Sequence, residues 1–312
     1  MEQVNKKCNV CSSSNSKFLF YGRDRLHKVD NKLFGLEKCS DCGLVYLFPQ
    51  PDADELVKYY PADYGPYHEG SQVLKYGPVS RILKKAFHKI GTLKSKLFSR
   101  KAVEGKPDTS VKRLLDFGCG NGAYLERMRK LHPSWKLFGF DNSEFALKET
   151  KAKGFEVWSG DLITTEIPDG YFDIVYLSHV IEHLNDPKAA LKKIFNILKP
   201  GGKIIIITPN FDSIAEKVFG TYWFGLDTPR HLFLFTPKIL SRLLTEVGFK
   251  VRDVSCVSDV RVALGSLNYL FSRKDMRINF VLWHFLRLIL IPGGKILSKF
   301  KKTSIMSLQA EK

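Results

Sequence analysis

The sequence lacks the long apolar segments that export or membrane insertion requires. Its first seven residues are polar and charged, with no apolar stretch behind them, so no secretory signal is expected. The longest apolar run, residues 278–291, is interrupted by His284 and Arg287 and falls short of the ~20 residues of a spanning helix. These absences favour a cytoplasmic protein. The hydrophobic content of 44% still permits a buried core and argues against wholesale disorder.

Acidic residues are scarce relative to basic ones. The chain holds 49 Lys and Arg against 32 Asp and Glu, which gives a net charge of +17. The excess lies in two segments: residues 73–113 hold 12 basic and 2 acidic residues, and residues 271–312 hold 9 basic and 2 acidic residues. Two localised basic regions suggest an anionic partner more than a general device for solubility.

Only six cysteines are present, and four of them form two Cys-x-x-Cys pairs, Cys8 with Cys11 and Cys39 with Cys42. Without a secretory signal, metal ligation is a better interpretation of such pairs than disulfides. Four thiolates suit tetrahedral zinc, and a closed site of this kind stabilises a fold rather than catalysing. Residues 1–50 are therefore predicted to form a small zinc-ribbon-like module. There are two alternatives: a ribbon that no longer binds metal, or a redox-active cysteine pair.

Hydrophobic periodicity divides the rest of the chain into a connector and a larger domain. Residues 51–110 are predicted to be a helical, basic connector, with an apolar face at helical spacing over residues 79–98. Strands and helices alternate from residue 111 to residue 312, which predicts an α/β fold with a doubly wound, mostly parallel sheet. The predicted strands are 111–117, 136–141, 155–158, 172–178, 203–208, 249–256 and 304–311. The predicted helices are 122–131, 143–152, 187–198 and 237–247.

A glycine-rich loop joins the first strand of this domain to its helix. Glycines at 118, 120 and 122 allow a tight turn and a close approach of the backbone to a ligand at the helix N-terminus. Gly118-x-Gly120-x-x-Ala123 also satisfies a relaxed dinucleotide fingerprint, so the loop alone is weak support for any one cofactor.

Three acidic residues make the assignment more specific. Asp116, two residues before the first glycine, accommodates a cationic amine more easily than a pyrophosphate. Asp141 ends the second strand, where a carboxylate can bind ribose hydroxyls. Asp161, in Gly160-Asp161-Leu162, follows the third strand and is well placed for an adenine amine. The alternative is that Asp116 and Asp161 only cap helices or turns.

These residues resemble the class I S-adenosylmethionine-dependent methyltransferases over roughly residues 111–256. The resemblance implies a Rossmann-like sheet of seven strands, the seventh at 304–311, with residues 258–300 as an insertion before it. It also implies that S-adenosylmethionine binds to the glycine loop and to the ends of the first four strands. The implied cofactor residues are Asp116, Gly118, Cys119, Gly120, Gly122, Asp141, Asn142, Asp161, Leu162 and Ser178.

Two histidine-containing segments are expected to border the acceptor, because parallel sheets bind ligands at the carboxyl ends of their strands. Residues 178–184, SHVIEHL, are similar to the Glu-His segment of ubiquinone-type O-methyltransferases, some of which bind a divalent metal there. His179, Glu182 and His183 can ligate a metal if the segment is helical, supply a general base, or only shape the pocket.

Residues 222–232, YWFGLDTPRHL, resemble a segment of bacterial methyltransferases that also carry an N-terminal cysteine module. Arg230 is predicted either to bind an acceptor anion or to form a structural ion pair, and His231 is a further candidate base. The aromatic stretch from Tyr59 to Tyr67 is also expected near the acceptor pocket. The candidate catalytic residues are therefore His179, His183 and His231.

The acceptor class is predicted only in outline. The resemblance implies a small molecule, a sugar or a lipid-linked compound, methylated on oxygen, with carbon and nitrogen left open. The basic charge favours a nucleic-acid methyltransferase as a rival, but no base-methylation motif follows the fourth strand, so nucleic acid is not expected as a partner. A binding module without catalysis and an NAD-dependent enzyme are further rivals.

The basic segments allow a peripheral contact with an anionic membrane at its inner face. Residues 258–300 and the helix at 79–98 combine apolar residues with lysines, as membrane-surface segments do. The alternative is that both segments pack on the sheet and that their lysines are simply solvated.

Overall fold

The computed structural model describes residues 7–60, 110–257, 259–271 and 302–312. The predicted helix at 79–98 and most of the predicted insertion at 258–300 lie outside these residues, as does the C-terminal part of the aromatic stretch. The division into segments 1–50, 51–110 and 111–312 stays a prediction.

The described chain contains eleven strands and seven α-helices, with additional short 3-10 turns. The strands are β1 Ser16–Gly22, β2 Phe34–Cys39, β3 Val45–Leu47, β4 Arg113–Phe117, β5 Lys136–Phe140, β6 Glu156–Trp158, β7 Phe172–Ser178, β8 Leu198–Pro209, β9 Phe233–Leu234, β10 Lys250–Val257 and β11 Ile305–Glu311. The helices are α1 Ala53–Val57, α2 Ala123–Leu131, α3 Glu144–Ala152, α4 Pro187–Ile197, α5 Ile214–Phe219, α6 Pro237–Val247 and α7 Val260–Phe271.

The larger sheet has seven strands in the order β10-β11-β8-β7-β4-β5-β6. Strands β8, β7, β4, β5 and β6 run parallel, whereas β11 is antiparallel to both β8 and β10. This confirms the predicted doubly wound, mostly parallel sheet with a final strand near residue 304. The run Ile204–Ile207 lies in β8 with all four side chains buried, as a strand covered on both faces requires.

The helices that cover this sheet begin and end at recognisable signals. The Asp186 carboxylate accepts a hydrogen bond from the Ala189 amide and Pro187 occupies the first turn of α4. Thr236 caps α6 in the same way, and Gly248, with φ 114°, ends it in the left-handed region. These local signals explain why the predicted helix bounds 187–198 and 237–247 agree with the observed ones within one residue.

A smaller antiparallel sheet has the order β1-β2-β3-β9. Its first three strands belong to the cysteine module, but β9 comes from the chain between β8 and α6. Val45 pairs with Leu234 and Tyr46 with Phe233. A strand of two residues has no sequence signal of its own, because only the partner strand makes it a strand.

One strand begins earlier than predicted, and the α-helix on which a metal site at residues 179–183 depended is not formed. Strand β8 begins at Leu198 rather than at residue 203, because Leu198 pairs with Phe172 before the turn at Gly201. The segment after β7 forms only a 3-10 turn, Ile181–His183.

Helix α7 shows how the predicted insertion begins. Its Gly265 lies directly against the Phe224 ring, where an added Cβ would come within 2.4 Å of a ring carbon, and Ser266 accepts a hydrogen bond from the Phe224 amide at 2.9 Å. The first part of the insertion therefore packs on the protein. No described helix is long and apolar enough to cross a membrane. Contact with a membrane surface stays a prediction.

Candidate functional site

The glycine loop lies at the carboxyl edge of the larger sheet, between adjacent parallel strands. Strand β4 is flanked by β5 and β7, so the segments that follow these three strands meet at one edge. The amides of Gly118 and Cys119 both donate to the Phe140 carbonyl, at 2.7 and 3.0 Å. The loop is thereby held at the end of β5.

The conformation of the loop requires glycine. Gly118, Gly120 and Gly122 have φ values of 80°, 52° and 74°, in the left-handed region. A Cβ on Gly118 would lie 2.3 Å from Cγ2 of Val180. This contact also shows that the loop packs directly against the segment that carries His179 and His183.

Asp116 is a buried carboxylate without a hydrogen-bond partner among the described residues. It is 3% exposed at the end of β4. Burial, and then the negative charge of Asp141, raise the pKa of Asp116 to about 8. A buried carboxylate of this kind is stabilised by a cationic ligand group, as the sequence predicts for S-adenosylmethionine.

Asp141 holds the loop in shape. Its Oδ2 accepts from the Gly120 amide and its Oδ1 from the Ser143 amide, both at 2.9 Å. Each oxygen keeps a second lone pair that can accept from a ribose hydroxyl. Asn142 is exposed beside it.

The other predicted cofactor residues surround the same edge. Asp161 is exposed, and its Oδ1 accepts from the Ile163 amide at 2.7 Å, which is the turn-capping role weighed as the alternative. Leu162 is buried behind it, and Ser178 is half-buried at the end of β7. The Cys119 side chain is buried, and its sulfur lies close against Gly139.

Glu182 lies at the centre of a polar cluster behind the loop. It is 1% exposed, its Oε2 accepts from the Thr208 hydroxyl at 2.9 Å, and its Oε1 is 3.1 Å from Nδ1 of His179. Burial would raise the pKa of Glu182, but the hydrogen bond from His179 and the charges of three histidines lower it to about 2. His179 itself is the exposed member, with φ 56° and a side chain 45% exposed.

His183 and His231 come from different segments and meet at this cluster. Their rings are 4.7 Å apart and nearly perpendicular. Nδ1 of His183 is 2.9 Å from the Arg230 carbonyl, and Nδ1 of His231 is 2.9 Å from the Gly225 carbonyl. Because a carbonyl only accepts, both Nδ1 atoms carry a hydrogen, and the lone pair of either ring in its neutral form is on Nε2. Burial, and then the charge of His231, lower the pKa of His183 to about 4, so it is neutral near pH 7.

The grouping differs from the one the sequence suggests. Glu182, His183 and His231 offer ligand atoms within 4.8 Å of one another, a set that can hold a proton or a cation. A set of His179, Glu182 and His183 was considered only for the case that the segment forms a helix. His179 precedes the 3-10 turn and is exposed, and His231 is the third member of the set.

Arg230 lies in a buried ion pair. Its guanidinium is fully buried and donates to Asp227 at 2.6 Å, to Asp24 at 2.9 Å and to the Tyr59 carbonyl at 3.0 Å. Of the two roles weighed for Arg230, the geometry matches the structural ion pair.

The four paired cysteines converge in the N-terminal module. Sγ of Cys8 is 3.5 Å from Sγ of Cys42, and Sγ of Cys11 is 3.5 Å from Sγ of Cys39. All four sulfurs lie within 4.8 Å of one another, and none is in a disulfide. A tetrahedron with Zn–S bonds of about 2.3 Å places its sulfurs about 3.8 Å apart, so the set fits the ion.

The two cysteine pairs form loops of the same shape. In each, the fourth residue after the first cysteine, Ser12 or Gly43, has positive φ and donates its amide to the carbonyl of that cysteine. Burial raises the thiol pKa, but the amides of Cys42 and Asp41 outweigh it and lower the pKa of Cys39 to about 7.

Comparison with known proteins decides the family. Residues 82–254, more than half of the chain, match the family described as "Methyltransferase domain". The chain belongs to this methyltransferase family. The assignment decides against the NAD-dependent alternative that the glycine loop alone left open.

Several curated relatives of the methyltransferase are similar over part of their length. A 37.1 kDa protein of transposon Tn4556 from Streptomyces fradiae is 31% identical over 51% of this chain and 48% of its own length. The demethylmenaquinone methyltransferase of Lactococcus lactis is 27% identical over 53% of this chain and 67% of its own. The ubiquinone biosynthesis O-methyltransferase of Aeromonas salmonicida is 30% identical over 47% of this chain and 66% of its own. The chain thus spans from about half to two thirds of these relatives.

Solved structures also resemble the methyltransferase. An S-adenosylmethionine-dependent methyltransferase from Archaeoglobus fulgidus is 22% identical and covers 75% of this chain and 99% of its own, with a TM-score of 0.47.

Sequence reasoning missed one residue that contacts the Arg230 turn and placed another only approximately. Asp24 stands between two arginines in a polar stretch, which is typical of a solvated loop, yet it is buried against Arg230. Tyr60 belongs to the aromatic stretch expected near the acceptor, and its hydroxyl lies 3.0 Å from Nδ1 of His183.

Replacing Gly118 by alanine is expected to destabilise the loop and weaken cofactor binding. Positive φ costs a residue with Cβ about 1–2 kcal/mol, and the clash with Val180 adds a cost of about 1–3 kcal/mol. Gly170→Ala is the matched control, because Gly170 has φ 60° but nothing within 4 Å of its Cβ position. Urea unfolding and calorimetric titration with S-adenosylmethionine measure both effects. Equal losses in the two variants would contradict the close contact with Val180.

Proposed function

We propose that the methyltransferase transfers the methyl group of S-adenosylmethionine to a hydroxyl oxygen of a small-molecule acceptor. The observation that carries this proposal is the contact between Gly118 and Val180, which brings the glycine loop against the segment of Glu182 and His183. Relatives named as quinone O-methyltransferases support the choice of oxygen. Sugar and lipid-linked acceptors are the other members of the proposed class.

The protein residues contribute to catalysis mainly by positioning the cofactor and the acceptor. S-adenosylmethionine supplies the electrophilic methyl group when bound. Asp116 neutralises the positive charge of the cofactor, and Asp141 holds the loop and the ribose. With the cofactor bound, the acceptor oxygen would take the methyl group as the carbon–sulfur bond breaks, and Nε2 of His183 or His231 would accept the acceptor's proton. Glu182, held ionised between the histidines, stabilises the imidazolium that results.

The N-terminal module has a separate role in this proposal. Its four cysteines bind one structural zinc ion, as the spacing of their sulfurs and the matching shapes of the two loops support. With four protein ligands, no position on the ion is left open for an acceptor, so zinc stabilises the module and takes no part in methyl transfer.

The acceptor class is tested by incubating the protein with methyl-labelled S-adenosylmethionine and panels of phenols and quinols, nucleotide-linked sugars, and lipid-linked sugars. Label recovered as a methyl ether on one panel is the expected result. Label recovered on RNA or DNA, or on nitrogen or carbon, would replace the proposal.

The affinity for S-adenosylmethionine is expected to rise about tenfold between pH 6 and pH 7. The pKa of Asp116 is about 8 in the free protein, so the ionised carboxylate that pairs with the cation becomes about tenfold more populated over this interval. Calorimetry across this range measures the affinity. Asp116→Asn should bind weakly and lose the dependence, whereas the exposed Asp169→Asn should behave as the wild type. A wild-type affinity that does not change with pH would contradict the role of Asp116.

A further inference from the structure

We propose that Asp24, in the cysteine module, is a positioning residue that acts through Arg230 to fix the ring of His183 with Nε2 toward the acceptor. The proposal rests on the proposed function, in which His183 or His231 receives the acceptor proton, and it takes His183 as that base. It gives the module a role in the active site beyond carrying a metal ion.

The orientation of His183 depends on the backbone of Arg230. Nδ1 of His183 is 2.9 Å from the Arg230 carbonyl and 3.0 Å from the Tyr60 hydroxyl. The carbonyl has no hydrogen to give, so Nδ1 donates and the lone pair is on Nε2. If the carbonyl moved away, only the Tyr60 hydroxyl would remain at Nδ1, and a hydroxyl is compatible with either tautomer because it can donate or accept.

The Arg230 backbone is fixed by its side chain. The guanidinium is fully buried, so any displacement would leave a charge without its partners in the interior. Of its two carboxylate partners, Asp227 is only three residues away, lies in the same turn and would move with it. Asp24 is 206 residues away in the sequence and therefore anchors this turn to another part of the molecule.

Asp24 is itself held rigidly in the module. Its Oδ1 accepts from the amides of Leu26 and His27, and its Oδ2 from the amide of Val29, all at 3.1 Å. The carboxylate therefore joins a closed backbone loop to the Arg230 guanidinium.

A second connection between the module and the histidine segments lies one residue beyond His231. The Leu47 amide of β3 donates to the Leu232 carbonyl at 3.0 Å, and the Leu232 amide donates to the Glu182 carbonyl at 2.8 Å. Residues 230–234 are thus held between the module on one side and Glu182 on the other. Loosening the module would release His183 and His231 together, while the glycine loop keeps its own contacts with β5.

The test is an NMR measurement on the full chain labelled with ¹⁵N-histidine, in which long-range proton–nitrogen spectra report the tautomer of each ring. His183→Gln assigns the signal. In the wild type, His183 is expected as a single Nδ1–H tautomer. In Asp24→Asn, a mixture with the Nε2–H form is expected, with the affinity for S-adenosylmethionine unchanged within about twofold. With an acceptor in hand, kcat should fall about tenfold or more and the KM for S-adenosylmethionine should not change.

Asp52→Ala is the matched control. Asp52 caps α1 through the Glu55 amide and does not contact Arg230, so its loss lowers the unfolding midpoint by about 3 °C without moving His183. An unchanged tautomer in Asp24→Asn, or the same change in both variants, would overturn the proposal. An Nε2–H signal for His183 in the wild type would also overturn it, and this measurement does not depend on whether Asp24→Asn folds. The tautomer is measured without an acceptor, so a failure of this proposal can be distinguished from a failure of the proposed methyl transfer.

Discussion

Loss of the zinc ion proposed for the four-cysteine site is expected to unfold the smaller sheet. Cys39→Ser leaves three thiolates, and the binding free energy of a structural zinc ion, about 10–16 kcal/mol in small domains, exceeds the stability that three short strands can supply alone. The wild type should contain about one zinc ion per chain and Cys39→Ser almost none. Elemental analysis and thermal unfolding measure the two effects. Because β9 and the Arg230 turn depend on the smaller sheet, methyl transfer should also be lost.

Cys256→Ser is the control for the loss of a buried thiol outside the cluster. It should keep the zinc content of the wild type. Protein purified without chelators that contains no zinc would contradict the site, and so would a Cys39→Ser variant that keeps the ion. In the second case, the two Cys-x-x-Cys loops would serve the fold without a metal.

His183→Ala is expected to lower the rate of methyl transfer about a hundredfold or more, because a positioned general base contributes about 10²–10⁴ in rate. Its neutral Nε2 has a lone pair at neutral pH, and the buried Glu182 and His231 lie beside it. His231→Ala should also reduce the rate, since its Nε2 lies 3.9 Å from Glu182 in the same cluster. Single-turnover measurements with saturating S-adenosylmethionine isolate the chemical step from binding.

His179→Ala is the matched comparison within the same segment. The His179 ring is half-exposed and contacts Glu182 from the solvent side, so its loss should cost less than the loss of His183. If all three variants turned over at nearly the wild-type rate, catalysis would rest on positioning alone and no histidine would act as a base. The affinity for S-adenosylmethionine should stay unchanged in all three variants.

The larger sheet could be read from the sequence because its determinants are local. The isoleucine run of β8, the cap at Asp186 and the glycine after α6 each specify a few neighbouring residues, and the alternation of strands and helices then restricts the topology. The glycine loop could also be predicted from the sequence, because the positive φ values at 118, 120 and 122 favour glycine at those positions. The Cys-x-x-Cys spacing of the two pairs likewise predicted that the four cysteines come together.

The composition of the histidine cluster depended on contacts that spacing does not encode. Glu182 and His231 are 49 positions apart, and the turn that carries His231 is fixed by a strand of only two residues. A helix would have grouped His179 with Glu182 and His183, whereas in the structure His179 has a left-handed conformation before a 3-10 turn and is exposed. The sequence named all three histidines, but it could not rank them.

By itself, the sequence determined the methyltransferase sheet, the loop expected to bind the cofactor and the pairing of the cysteines. Each of these follows from short-range preferences of backbone and side chain. Only the tertiary structure decided that β9 completes the sheet of the module, that Asp24 pairs with Arg230, and that His183 presents Nε2. These contacts join residues up to 206 positions apart, and an aspartate in a polar stretch looks the same in sequence whether it is solvated or buried against an arginine. The physical difference is desolvation, which exists only once the chain has folded.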